Sequence, residues 1–285
     1  MSQQISGLSQ IAGQYRAILS DVWGVVHNGV SVYEAAADAL AAYRNQGGQV
    51  VLLTNSPRPC EGVLQQLDEM GVRKDAYDAI VTSGDVTRTL IKQSQGKVFH
   101  LGPQRDLPLF TGTGVELVAQ DECNTIVCTG LFEDTTETPD DYRDILSDMA
   151  QRGIPFICAN PDIVVERGDR LIYCAGSLAQ LYQEMGGVTL VAGKPHKPIY
   201  DLAMQKLSEL NSSEISKNHV LAIGDGMPTD VAGALNNGFD LLYISAGIHS
   251  AEYGDAEHTN PKALAVFLNK HDADPVAWMP RLGWE

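Results

Sequence analysis

Val50-Val51-Leu52-Leu53-Thr54-Asn55-Ser56-Pro57 is the stretch whose reading decides the fold. Four consecutive apolar residues, two of them β-branched, predict a strand buried on both faces, the pattern of a parallel sheet covered by helices. The polar run and proline behind them end it abruptly. Upstream, Gly47-Gly48 stops a helical segment over 35–45, on which Ala36, Leu40 and Tyr43 share one face. Before that helix stands Ala17-Ile18-Leu19-Ser20, a second apolar run, which leads straight into Asp21. Strand, helix and strand in this order make one crossover unit.

The same rhythm continues in both directions along the chain. A helix over 61–70, a strand at Ile80-Val81-Thr82 and a helix over 85–92 follow, with Ser83 the expected N-cap. Between about 96 and 187 the order loosens, with strands expected at 98–101, 125–128 and 155–158 and helices at 140–151 and 177–185. We expect this segment to be a second α/β unit inserted into the first. The first rhythm resumes with strands at 188–191, 219–223 and 241–244 and helices at 198–210, 229–236 and 261–269. The tail, 272–285, is irregular and is expected only to dock through Trp278 and Trp284. The fold class is therefore α/β.

Length and composition agree with that reading. At roughly 150 residues per domain, 285 residues predict about two domains. Twenty Lys+Arg against 36 Asp+Glu leave a net charge of −16, a field that repels nucleic acid and anionic lipid alike. No apolar run approaches the roughly 18 residues of a membrane span, and no charged start leads into a long apolar stretch. A cytoplasmic location with no membrane partner is the expectation. The five cysteines, Cys60, Cys123, Cys128, Cys158 and Cys174, are odd in number and form no CxxC pair. They read as reduced, mostly buried small hydrophobes, and neither a disulfide framework nor a zinc site is signalled.

Parallel sheets bind ligands at the carboxyl ends of their strands, so the residues just past each apolar run matter most. Asp21 follows 18–20, Thr54-Asn55-Ser56 follow 50–53, Lys194 comes soon after 188–191, and Asp225 and Asp230 come after 221–223. Each alone has an ordinary reading as a turn former, a helix cap or a solvated charge. Together they put three carboxylates, a lysine and hydroxyl side chains at strand ends that one sheet would bring to a common edge. Clustered carboxylates repel unless a cation lies between them, and an all-oxygen donor set suits Mg²⁺. A carboxylate beside that ion can attack phosphorus, giving an aspartyl-phosphate, while lysine and backbone amides neutralise the transferring phosphoryl oxygens.

The four segments Asp21-Val22-Trp23-Gly24-Val25, Leu53-Thr54-Asn55-Ser56, Gly193-Lys194-Pro195 and Gly224-Asp225-Gly226-x-x-Thr229-Asp230 resemble, in order, the four motifs of the haloacid dehalogenase superfamily. The insertion between the second and third, with Asn160-Pro161-Asp162, is similar to the class IIA cap of NagD-like and pyridoxal-phosphatase-like enzymes. The resemblance implies a Rossmann-like core of doubly wound parallel sheet over 1–83 and 187–285, with an inserted α/β cap over 84–186. It implies Asp21 as nucleophile and metal ligand, Thr54, Asn55 and Ser56 as phosphoryl binders, and Lys194 as partner of both nucleophile and phosphate. Asp225 would hold Mg²⁺ with the Trp23 backbone carbonyl, and Asp230 would order the metal's outer shell. A small phosphorylated metabolite is the implied substrate, and a homodimer the implied assembly.

One position departs from the pattern. Phosphatases of this superfamily carry a second aspartate two residues after the nucleophile, acting as general acid and then base, and here that residue is Trp23. Positioned acid/base catalysis is worth about 10² to 10⁴ in rate, so a slowed phosphatase is the expectation. His27, a few residues downstream, and His196, just after the lysine motif, could reach the site and substitute, although each reads more simply as an ordinary surface or packing histidine. The alternative is a phosphometabolite-binding or regulatory protein that kept the cradle and lost turnover.

Overall fold

Seven strands, all parallel, form the larger sheet of the computed structural model, which describes residues 2–94, 96–211, 213–255 and 257–285. The chain lays down β1 (Gln3–Gln4), β2 (Ala17–Ser20), β3 (Gln49–Thr54) and β4 (Ala79–Thr82), then leaves the sheet. Outside it, β5 (Lys97–Leu101), β6 (Glu116–Leu117), β7 (Thr125–Cys128) and β8 (Phe156–Cys158) follow, then the hairpin of β9 (Val164–Arg167) and β10 (Arg170–Tyr173), and β11 (Thr189–Val191). The chain returns for β12 (Val220–Gly224), β13 (Asp240–Ile244) and β14 (Ala277–Met279). The core order is β1-β14-β13-β12-β2-β3-β4, and the second sheet runs β11-β8-β7-β5-β6.

The core sheet is buried on both faces because its strands alternate two apolar sets. Ile18, Val50, Leu52, Leu221, Ile223 and Leu242 point into one cluster, and Leu19, Val51, Leu53, Val220, Ala222 and Leu241 into the other. Period-two alternation of apolar residues on both sides is what a doubly wound sheet requires. The second sheet repeats the device on a smaller scale, with Ile126, Cys128 and Phe156 on one face and Val98, Val127 and Ile157 on the other. All five cysteines are free, and all but Cys60 are buried, as their apolar neighbours require.

Three expectations need correction. The strand at 188–191 does not resume the core: β11 pairs with β8 and is an edge of the second sheet. Three residues cannot reveal which sheet they join, because pairing is decided by partners far away in sequence. Ser83 is the first residue of the helix Ser83–Ser94 rather than its cap, and that helix serves both units, giving Val86 to a core cluster and Ile91 to a cluster of the second sheet. The irregular tail contains β14, which pairs with β13 on one side and β1 on the other and buries Trp278. Among the described residues, no helix is long and apolar enough to cross a membrane.

Candidate active site

Register in the core sheet brings the acidic residues together. Ser20 on β2 lies opposite Ile223 on β12, so Asp21 and Asp225 leave adjacent strands within a residue of one another. The Asp21 amide donates to the Ile223 carbonyl at 2.8 Å, which fixes the turn where the nucleophile candidate sits. Gly24, at φ 84°, and Gly247 both pass so close to Asp225 that a methyl group on either would collide with its carboxylate. Asp225 Oδ2 accepts from the Ile248 amide at 2.8 Å. Past β12 a single wide turn over Met227–Val231 opens the helix Ala232–Asn237, and it presents Asp230 beneath Gly224. Asp230 Oδ2 accepts from the Gly226 amide at 3.1 Å.

Asp21, Asp225 and Asp230 are all buried, with carboxylate oxygens within 4.8 Å of one another. Lys194 Nζ stands 2.6 Å from Asp21 Oδ1 and 2.6 Å from Asp230 Oδ1. Burial works against the lysine's charge, but Asp21, Asp230 and Asp162 outweigh it and hold Lys194 well above its ordinary range. One ammonium does not neutralise three carboxylates. Burial, with Asp230 and Asp225 against the pull of Lys194, raises Asp21 well above the usual carboxylate range. Burial and Asp230 likewise push Asp225 up to about 7. A divalent cation among these oxygens would reverse both shifts, and this unbalanced charge is the observation that fits the site to a metal. Trp23 lines the same cavity, and its carbonyl accepts no hydrogen bond from the described residues and is available as a further oxygen donor.

The phosphoryl-binding candidates come from β3. Thr54 is its last residue, and its Oγ1 accepts from the Ser56 amide at 3.2 Å, leaving its proton free for a ligand oxygen. Asn55 is buried, and its Oδ1 accepts from the Lys194 amide at 2.7 Å. Gly193 makes that approach feasible, since a Cβ there would collide with the Asn55 oxygen. Lys194 thus reaches the core edge from the loop behind β11 of the second sheet, not from a core strand as the strand rhythm suggested. The tertiary fold still brings every motif residue together: Asp21, Trp23, Thr54, Asn55, Ser56, Lys194, Asp225 and Asp230 line one cavity of about 980 Å³.

The other walls come largely from the inserted unit. Asn55 Nδ2 donates to Asp162 Oδ1 at 2.8 Å, joining core to insertion. The β9–β10 hairpin supplies Val164, Val165, Arg167 and Tyr173, and the Gly168 amide at its turn donates to the Asn28 carbonyl of the core at 3.2 Å. Asp134 pairs with Arg105 and Arg167, and Arg58 faces Asp106. No fixed spacing in the sequence announces these groups, because they converge only when the insertion folds over the core. The Trp23 indole meets the His27 ring edge to face at 5.0 Å and lies against Gly29, where a side chain would collide with it. His27 Nδ1 accepts from the Gly29 amide at 2.9 Å, and burial lowers the ring's pKa to about 4. His27 is therefore neutral and packed, with Nδ1 already engaged.

Comparisons with known proteins agree with this geometry. The family model described as haloacid dehalogenase-like hydrolase matches residues 18–116, and a second, HAD-hydrolase-like, matches 191–270. A crystal structure of a haloacid dehalogenase-like family hydrolase from Brucella suis 1330 is 45% identical, covers 99% of this chain and 100% of its own, and superposes with a TM-score of 0.88. The acid sugar phosphatase of Staphylococcus aureus is 27% identical over 91% of this chain and 97% of its own. The 4-nitrophenylphosphatase of Thermotoga maritima shares the fold, with a TM-score of 0.70 at 21% identity over 94% of this chain and 95% of its own. With its four motifs meeting in one cavity under an insertion placed between the second and third, the chain belongs to the haloacid dehalogenase-like hydrolases of class IIA.

Proposed function

We propose that this protein is a Mg²⁺-dependent phosphatase of small phosphorylated metabolites that works through an aspartyl-phosphate on Asp21. The observation that carries the reading is the Lys194 ammonium held 2.6 Å from both Asp21 and Asp230, with Asp225 adding a third buried carboxylate. Asp21, Asp225 and the Trp23 carbonyl would hold the ion, with Asp230 fixed behind them by Lys194 and the Gly226 amide. Bound there, Mg²⁺ supplies charge neutralisation for the phosphoryl oxygens.

The residues of the chain do the rest. Asp21 attacks phosphorus as a carboxylate, Lys194 orients it and offsets charge on the phosphoryl group, and Thr54, Asn55 and Ser56 cradle the remaining oxygens. The insertion over the cavity favours a small substrate and excludes water from the reacting atoms. The phosphatase names of the relatives in Staphylococcus and Thermotoga support this choice of reaction. Trp23 in place of an acid predicts slower turnover of esters with poor leaving groups.

The test is phosphate release from a panel of sugar phosphates, nucleotides and pyridoxal phosphate, with and without Mg²⁺. Wild type that never exceeds Asp21→Asn on any of them ends the proposal. Trp23 is also the one observation favouring a binding or regulatory role. Calorimetry showing tight metabolite binding with no hydrolysis would support that second reading.

A further inference from the structure

Resting on the phosphatase reading above, we propose that Asp162, a cap residue, is the general acid and base of this enzyme, taking the role that the Trp23 position has lost. Asp162 lines the same cavity as Asp21, Thr54 and Lys194. Its Oδ1 is held by Asn55 Nδ2 at 2.8 Å, and Oδ2 makes no hydrogen bond to the described residues, so one oxygen is anchored and the other is free to face a ligand. The anchor matters for aim. Asn55 fixes Lys194 through its other end, so nucleophile partner and proposed acid are set by one amide.

The surroundings favour a proton on Asp162. Burial raises its pKa, against the opposing pull of Lys194 and of the Asn55 hydrogen bond, and Asp230 adds to the rise. A carboxyl that holds its proton more tightly than an ordinary aspartate is better suited to donate it to a leaving oxygen. Asp162 belongs to the insertion whereas Asp21 leaves a core strand, so the two reach the shared cavity from different units of the fold.

Other titratable groups on the cavity wall are worse placed. Arg167 and Arg105 hold Asp134 below the usual range despite its burial, so it carries no proton to give. Asp106 is enclosed beside Arg58, with Oδ1 shut off from the cavity. His249 Nε2 already accepts from the Met227 amide at 3.0 Å, and burial lowers the pKa of His196, leaving it neutral.

The step balances as follows. Asp21 Oδ forms a bond to phosphorus as the ester P–O bond breaks, and the Asp162 proton passes to the departing oxygen, releasing an alcohol. Asp162, now a carboxylate, takes a proton from water as that water attacks the aspartyl-phosphate; inorganic phosphate leaves and Asp21 is restored.

The experiment compares first-turnover release of the leaving group from glycerol phosphate and from 4-nitrophenyl phosphate, with Mg²⁺, in wild type and Asp162→Asn. Asparagine keeps an oxygen for Asn55 and lacks the proton. The alkyl ester should slow by about 10² or more, and the aryl ester, whose phenolate leaves unaided, by less than about tenfold. Asp162→Glu should recover part of the alkyl rate. Equal losses on both esters would show a merely structural role and overturn the proposal, as would no loss on either. Wild type inert toward both esters would instead remove the phosphatase reading itself.

Discussion

Asn55 Oδ1 accepts a hydrogen bond from the Lys194 backbone amide at 2.7 Å, across 139 positions of sequence. The second and third motifs are joined by this bond, and the opposite end of the same side chain holds Asp162. One buried amide thus positions a cation, a carboxyl and the strand end that carries Thr54.

Asn55→Ala removes all of these contacts and leaves the Lys194 amide buried without its partner. An unsatisfied buried donor costs about 1–3 kcal/mol. Chemical denaturation should show a loss of that order, and any residual phosphatase activity should show a raised KM. Unchanged stability would mean that the amide of Lys194 finds another acceptor.

Asp21→Asn should abolish turnover and yet stabilise the metal-free protein. It removes one of three mutually repelling buried carboxylates while Asp230 keeps its bond to Lys194. Melting in a chelator should place the variant above wild type by roughly 1 kcal/mol, and Mg²⁺ should raise wild type more than the variant. A variant that melts lower in chelator contradicts the repulsion.

Trp23→Asp places a carboxyl two residues after Asp21 and gives up the indole's packing on His27 and Gly29. We expect a stability loss of about 3 kcal/mol, the low end of the range for aromatic truncation, together with a rise of about tenfold in turnover of alkyl phosphates when the substitution is made in the Asp162→Asn background. Trp23→Ala should share the first effect and not the second, which kinetics on both variants will show.

His100 makes stability depend on pH. Burial lowers its pKa from 6.5 to about 4, beside Thr129 Oγ1 at 2.9 Å and the Phe110 ring. The unfolded chain therefore binds a proton in a range where the folded one does not. Its contribution is complete above pH 6.5 and is lost as pH falls from there toward 4, by about 1 kcal/mol per pH unit. Denaturation midpoints measured across that window should flatten in His100→Gln; an unaltered slope would assign the effect to other groups.

Much of the fold was legible in the linear chain. Apolar runs such as 50–53 and 220–223 are long and β-rich enough to declare buried parallel strands, and the polar residues behind them declare the ligand-binding edge. The sheet that β11 joins, the strand β14 and the start of the helix Ser83–Ser94 are not legible there for one reason: a strand of three residues or a cap of one carries no local signal of its partner.

The sequence by itself determined the identity of the motif side chains, their order and the tryptophan two residues after Asp21, because covalent spacing along a strand end is a local property. Only the tertiary structure decided that Lys194 arrives from the second sheet, that His27 is tied up by Gly29, and that Asp162 enters the cavity against Asn55. These depend on how the insertion packs over the core, and that packing is set by the summed burial of residues far apart in the chain rather than by any short stretch of it.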